Sequence, residues 1–496
     1  MILAVAVGRA IALVAVTRLR AAGFEMVWTG SSRVVRTSSG GSVVVEAELR
    51  NRSADAVRGV DVRPLASSML SVTVEPATLD LPPGARARLD VTIEARRVGR
   101  WGVHGLALEV RGTPLGGESL YEVPLLFANP MGVEVVPASL GALMASARGG
   151  RARRGSEVGR PANVAGEGDE LRELRDHVPG DAFKRIAWKA SARRGRLLVR
   201  EMEREERDIV WLVVDASVEL WAGAKGSAPL DLVVEEAASV ATRHLRRGDR
   251  VGLVVSASRL RAWIAPKEGA AHAALLAGAL ASAASCIDAD RSELDEHRVA
   301  QRVQEHLRPL DPRGLTDLRK GDLDALATRA EEARARAPFA PRLPFAPSVR
   351  EQVLRHYLAA FGIESPPRID GERPRADETL VQVLDRLATE KPTASIVHVW
   401  APAPARAEGL GSALGALRRR HIEVRWSLPH LDAGIAPEPG RRSGVAEVVE
   451  HAVRSRARTA EARGAMVLRR LGVRVQPRAL ARKRSLEALA VRERTP

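Results

Sequence analysis

A chain of 496 residues is too long for one hydrophobic core and predicts two or three domains. Its 45% hydrophobic content permits globular packing, its 3% aromatic content argues against a stacking platform for single-stranded nucleic acid, and its single cysteine, Cys286, excludes an internal disulfide framework. The formal charge of +16 is nearly all arginine amid abundant alanine, glycine and valine, as a GC-rich genome produces without selection for an anionic ligand, so no specific nucleic-acid partner is expected despite clusters at Arg148–Arg154, Arg418–Arg420 and Arg478–Arg484.

Met1–Val16 is apolar except for Arg9, with Arg18 and Arg20 following. A spanning helix needs about 20 apolar residues, so a short membrane anchor over residues 1–22 and a docked strand or helix of the next domain both stay open. An inserted segment would leave the following chain in the cytoplasm, on the side of the arginine pair. Over residues 23–138 the pattern has period two: Val43, Val45, Ala47 and Leu49 alternate with polar residues, as do Leu89, Val91 and Ile93, and turn sequences such as Pro82-Pro83-Gly84 separate the runs. The spacing predicts a β-sandwich of immunoglobulin-like size. Residues 139–166 are small, glycine-rich and basic, and read as a linker.

Residues 167–207 are the most informative stretch. Pro179-Gly180 predicts a type II turn, with Asp181 after it as an N-cap. Phe183, Ile186 and Ala190 then give one apolar helical face, and Gly195 after Arg193-Arg194 predicts the end of that helix before the extended run Leu197–Val199. The run LRDHVPGDAFKRIAWKASARRGRLLVREMEREE, followed by a strand ending in Asp-x-Ser, resembles the signature of the bacterial family called domain of unknown function 58. Leu174, Arg175, Pro179, Gly180, Asp181, Arg185, Ile186, Trp188, Ala192 and Arg193 occupy its recurrent positions, while His177 stands for the usual Tyr and Ala187 for the usual acidic or His residue. The resemblance implies a von Willebrand factor A-like domain downstream, a MoxR-type AAA+ ATPase as partner and an N-terminal membrane anchor. The segment itself is expected to clasp the two domains, with Phe183, Ile186 and Trp188 buried.

Residues 208–477 alternate strand and helix. Ile209–Val214, Arg250–Val255, Leu260–Ala265, Ser395–Trp400 and His421–Leu428 read as strands, and Leu230–Arg247, Ala270–Ser285 and Ala446–Arg470 as helices, which predicts a doubly wound α/β domain. The tripeptide Arg247-Gly248-Asp249 fits a helix-to-strand connection. Residues 287–392 interrupt the domain as a charged helical insertion in which Ala337–Pro347 reads as a polyproline spacer, and residues 478–496 form a basic tail.

An A-like domain would hold Mg²⁺ through oxygen ligands of an Asp-x-Ser-x-Ser motif, a distant Thr and a distant Asp at the carboxyl ends of the strands. Here Asp215 and Ser217 fit, position 219 is Glu, Thr316 does not align with the distant Thr, and Ser395–Trp400 runs into Ala401-Pro402 without an Asp. The expectation is a degenerate metal-ion-dependent adhesion site and metal-independent partner binding. A Walker loop, paired helical histidines, a Cys-x-x-Cys and a Gly-x-Ser-x-Gly elbow are absent from the sequence. The leading functional reading is a non-enzymatic interaction or assembly factor at the cytoplasmic membrane, without a cofactor. The alternative is a hydrolase or nucleic-acid enzyme using Asp169, Glu170, Arg175 and Asp181.

Overall fold

The computed structural model describes residues 23–111, 120–148, 160–285, 295–308, 322–363, 373–404, 409–432 and 444–476, apart from positions 53, 55, 222, 224, 225, 342, 344 and 345, together with residues 3, 4, 6 and 7. Most of the 1–22 stretch, Cys286, Thr316, the bulk of the Arg148–Arg154 cluster and the 478–496 tail lie outside the described residues. No helix among those described is long and apolar enough to cross a membrane.

The N-terminal region is two sheets around one core. Strands β1 (Phe24–Trp28), β3 (Ser42–Asn51), β7 (Arg86–Ala95) and β5 (Leu70–Glu75) form an antiparallel sheet in the order β1-β3-β7-β5. The second sheet runs β2 (Val34–Ser38), β9 (Leu120–Val136), β8 (Gly99–Arg111), β4 (Val57–Ala66) and β6 (Thr78–Leu81), with β2 and β9 parallel. The period-two pattern does what it predicted: Ala47, Leu49, Leu89, Val91 and Ile93 face the buried side, against Val103, Leu106 and Val133 of the other sheet.

The expected linker is structured at both ends. Ala138–Arg148 is helix α1, because Leu140 and Val136 enter the core of the α/β region and fix the chain there. Arg160–Asp176 is strand β10, pairing antiparallel with β11 (Leu198–Glu206) into a two-stranded arm.

The α/β region is a six-stranded sheet in the order β14 (Leu260–Lys267), β13 (Arg250–Ser256), β12 (Ile209–Asp215), β15 (Ile396–Trp400), β16 (Glu423–Ser427) and β17 (Arg474–Val475). All neighbours are parallel except β13 and the edge strand β14. Parallel strands are covered on both faces, and β12 alternates between two cores accordingly. Val210, Leu212 and Val214 meet helices α3 (Pro229–Arg246) and α4 (Ala270–Ser285), while Trp211 and Val213 meet α8 (Arg373–Thr389) and α9 (Leu410–Arg419). A Cβ on Gly252 of β13 would sit 2.7 Å from the Trp211 ring, so the indole fits only because residue 252 lacks one. Helix α10 (Gly444–Arg470) adds Leu468 to the second core.

One expected boundary is corrected here. The insertion ends before 373 and not at 392, because Leu380, Val383, Leu384 and Leu387 of α8 pack on the sheet. Its helices α5 (Glu296–Leu307), α6 (Leu323–Ala333) and α7 (Val349–Phe361) form a separate core of their own. That helical core docks on the sandwich: Ser67 donates to the Gly362 carbonyl at 2.7 Å and accepts from Gly102 N–H, and the His104 and His306 rings meet at 4.8 Å.

The sandwich is also joined directly to the α/β region. Arg97 Nε donates to Asp231 Oδ1 at 2.8 Å and Arg97 Nη2 to the Trp221 carbonyl at 3.1 Å, with both charged side chains buried. The interdomain clasp is therefore Arg97–Asp231 with Val98, Val136 and Leu140, elements the sequence reading passed over.

Candidate functional site

Strand β12 lies where the strand order reverses, with β13 to one side and β15 to the other. Open α/β sheets place their ligand crevice outside the carboxyl ends at such a switch point. Asp215 is the last residue of β12 and is buried; its Oδ1 accepts from Ser217 N–H at 2.8 Å, which folds the chain into the short turn Val218–Leu220. This is the place at which the resemblance implies a metal.

A guanidinium occupies the surroundings of both candidate ligands. Arg373, the first residue of α8, donates from Nη1 to Asp215 Oδ2 at 2.8 Å and to Ser217 Oγ at 3.3 Å. Its Nε donates to Asp377 Oδ1 at 2.7 Å, one helical turn on, and Glu219 Oε2 lies 3.5 Å from Nη1. The arginine side chain is 20% exposed, Asp215 3% and Asp377 9%, so the cation sits in a mostly closed carboxylate cage. Burial opposes the charge on Arg373, yet Asp215 and Asp377 more than offset it and hold the guanidinium above its ordinary range. Burial pushes the Glu219 carboxyl up, assisted by the neighbouring Asp215 and Asp377 and opposed by Arg373. Arg373 went unnoticed in the sequence because it lies 158 residues from Asp215, beyond an insertion that hides the register, and Asp377 follows it one helical turn later.

Along the same carboxyl edge, beyond β16, His430, Asp432 and Glu461 bring ligand atoms within 4.8 Å of one another. Arg458 Nε donates to Asp432 Oδ2 at 3.0 Å, so one of the three carries a cation of its own. His430 and Glu461, with Glu236, Ser427 and Gln476, line a cleft of about 270 Å³. The Glu236 carboxyl there is pushed up by burial and accepts from Ser427 Oγ at 3.4 Å.

The signature segment caps the β10–β11 arm. The Pro179-Gly180 turn forms as expected, with Gly180 at φ 110° and Asp181 N–H donating to the Val178 carbonyl. Arg175 grips Asp181 with two parallel hydrogen bonds of 2.8 and 2.6 Å, and Val178 N–H adds a third. Those bonds, that to Arg175 foremost, hold the Asp181 carboxyl down at about 2. Asp181 therefore staples a turn and caps no helix, contrary to expectation.

The single helix expected after it divides into a short 3-10 turn at Phe183–Arg185 and helix α2 (Trp188–Arg194), which ends before Gly195 as predicted. Between them Ile186 and Ala187 are drawn into extended pairing: Ile186 bridges Val199, and Ala187 N–H donates to the Leu198 carbonyl. Ser191 Oγ accepts from Leu198 N–H and donates to the Ala187 carbonyl. The break rotates the apolar face apart. Ile186, Ala187, Leu198 and Val199 are buried, whereas Phe183 is 77% and Trp188 59% exposed. The expectation that Phe183 and Trp188 are buried between domains is overturned. Arg185, Ala192 and Arg193 are exposed as well. Asp169 and Glu170 lie on β10, where side chains fall outside the described set.

Arg418 and Arg420 donate to the main-chain carbonyls of Leu471 and Ala388, so that cluster ties elements of the fold together. In Arg247-Gly248-Asp249 the arginine is exposed, while Gly248 and Asp249 are buried and Asp249 lies 2.7 Å from His244 Nδ1.

Residues 173–332 match the family described as Protein of unknown function DUF58. An uncharacterized protein of Mycobacterium tuberculosis, Rv1480, is 30% identical over 109 residues, covering 22% of this chain and 34% of that protein, and a Mycobacterium bovis counterpart gives the same figures. The chain thus spans about a third of the length of the curated relatives it matches. Among solved structures, the PapD-like domain 7 of human CEP192 has a TM-score of 0.18 at 13% identity, covering 23% of this chain and 86% of that one.

Proposed function

We propose that this chain, with its DUF58 match over residues 173–332, is a non-enzymatic interaction or assembly factor working at the cytoplasmic face of a membrane. In this reading the N-terminal region is an immunoglobulin-like sandwich and the α/β region a von Willebrand A-like domain. That domain engages a protein partner, a MoxR-type AAA+ ATPase, at the carboxyl edge of its sheet. The observation that carries the reading is the Arg373 cage: the position where a metal would sit beside Asp215 and Ser217 is supplied with an internal cation, so docking there proceeds without a metal. Glu219, 33% exposed at the rim, is the group a partner meets first.

The enzymatic alternative is weakened by the state of Asp181. A carboxyl held at about 2 by Arg175 is a poor proton donor or acceptor near neutrality, where general acid–base catalysis needs a matched value.

The test is binding of the full chain to the MoxR-type ATPase from the same genome, with Mg²⁺ and with a chelator added after nucleotide loading. Equal affinity in both, and a loss of about tenfold in Glu219→Arg from a reversed rim charge, are expected. Binding that vanishes when the chain's own metal is stripped, or no binding at all, would reject the reading.

A further inference from the structure

The cap of the β10–β11 arm combines exposed apolar side chains with charge of one sign. Val178, Phe183, Trp188 and Leu197 are 56%, 77%, 59% and 47% exposed. Residues 182–200 contain seven lysines and arginines and no Asp or Glu. Of the nearby acids, Asp176 pairs with Arg196, one of those seven, and Asp181 with Arg175, which leaves the segment with an excess of positive charge. The cap already has a small core in Ile186, Ala187, Leu198 and Val199, so its folding makes no use of Phe183 or Trp188.

We propose that this cap docks on an anionic lipid bilayer, with Phe183 and Trp188 entering the headgroup region and Lys184, Arg185, Lys189, Arg193 and Arg194 facing the phosphates. Phe183 and Trp188 are each followed directly by a cation, so an aromatic that enters the interface carries its neighbour to the headgroup level. Tryptophan suits that depth because its ring is amphipathic. A bilayer with anionic headgroups is uniformly negative at its surface and apolar beneath, and matches both properties of the cap. A protein groove for Phe183 and Trp188 would need acidic groups set against each cation in turn, a narrower fit. The inference rests on the membrane location proposed above and uses no residue of the Asp215 site.

The experiment is sedimentation of the full chain with vesicles of phosphatidylcholine alone and of phosphatidylcholine mixed with phosphatidylglycerol. Binding should be at least about tenfold tighter to the anionic vesicles and should weaken as salt is added. The double variant Phe183→Ser/Trp188→Ser should lose about tenfold on those vesicles with an unchanged melting midpoint, and Lys189→Glu/Arg193→Glu should lose a similar factor. Equal binding to both vesicle types, no binding, or variants that bind as the wild type would overturn the proposal. A loss of ATPase capture in the aromatic variant with vesicle binding unchanged would assign the cap to a protein and overturn it too. Vesicle binding requires no ATPase, so its failure leaves the strand-end partner standing.

Discussion

The guanidinium of Arg373 stands 2.8 Å from the carboxylate of Asp215, joining the end of the central strand to the start of a helix 158 residues later. The pair does locally what a divalent ion does in an oxygen-ligand site, gathering carboxylates that would otherwise repel. It also fixes where α8 begins.

Removing the guanidinium should expose this equivalence. In Arg373→Ala the carboxylates of Asp215, Asp377 and Glu219 lose their common cation, which should cost about 2–3 kcal/mol, less than a fully buried pair because the arginine keeps some solvent contact. Calorimetry in an Asp432→Asn background, which weakens the His430 cluster, should show Mn²⁺ binding in the variant and none with Arg373 present. Saturable micromolar binding with Arg373 intact would refute the account.

The Arg97–Asp231 pair is buried on both sides, so truncating either partner leaves a charge without its counterion. Arg97→Met should cost about 3–5 kcal/mol, and the double variant Arg97→Met/Asp231→Leu should recover much of it. Chemical denaturation of the four proteins in the cycle measures this. Additive losses would mean that the two residues act separately.

His104 is buried and its imidazole is pushed down to about 4 from an ordinary 6.5 by desolvation; His306 opposite is lowered chiefly by the same cause. The unfolded chain therefore takes up protons on these rings before the folded one does. Stability should be complete above pH 6.5 and fall as pH drops from 6.5 toward 4, with His104 alone accounting for on the order of 3 kcal/mol. Melting midpoints of wild type and His104→Leu should converge across that window, and parallel curves would rule out a role for His104.

At Gly252 the Trp211 ring leaves no room for a methyl group. Gly252→Ala should cost about 1–3 kcal/mol through displacement of the indole, and near-ultraviolet circular dichroism should report its altered packing. An unchanged spectrum and midpoint would show that the ring moves aside freely.

By contrast, Trp188→Ser should leave stability within about 0.5 kcal/mol of the wild type, as surface changes generally do. A large loss on unfolding in urea would mean that the indole is covered in solution.

What the sequence made legible was whatever local pattern controls. Alternation at Val43–Leu49 and Leu89–Ile93 placed the sandwich faces, and the apolar run at Ile209–Val214 placed the central strand. The signature from Leu174 to Arg193 falls inside the stretch that matches the family model. What failed was decided by partners distant in sequence. Helical spacing from Phe183 to Ala190 was overruled when Ile186 and Ala187 found hydrogen bonds on Leu198 and Val199. The 287–392 boundary erred because a charged helix start, Arg373-Pro374-Arg375, gives no local sign that Leu380 and Val383 pack under a sheet. Arg97 and Arg373 are ordinary charges in sequence and acquire meaning only across distances of 134 and 158 residues.

The hydrogen bond from Ser67 to the Gly362 carbonyl spans 295 residues, and this has a consequence for synthesis. Ser67, Gly102 and His104 leave the ribosome with the N-terminal sandwich, long before the helices that cover them. At about 5–20 residues per second, that face waits roughly 15–60 s for its lid. During this interval the nascent sandwich presents a bare histidine and an unfilled hydroxyl to the crowded surroundings of the ribosome. The face is thus completed only when α7 arrives.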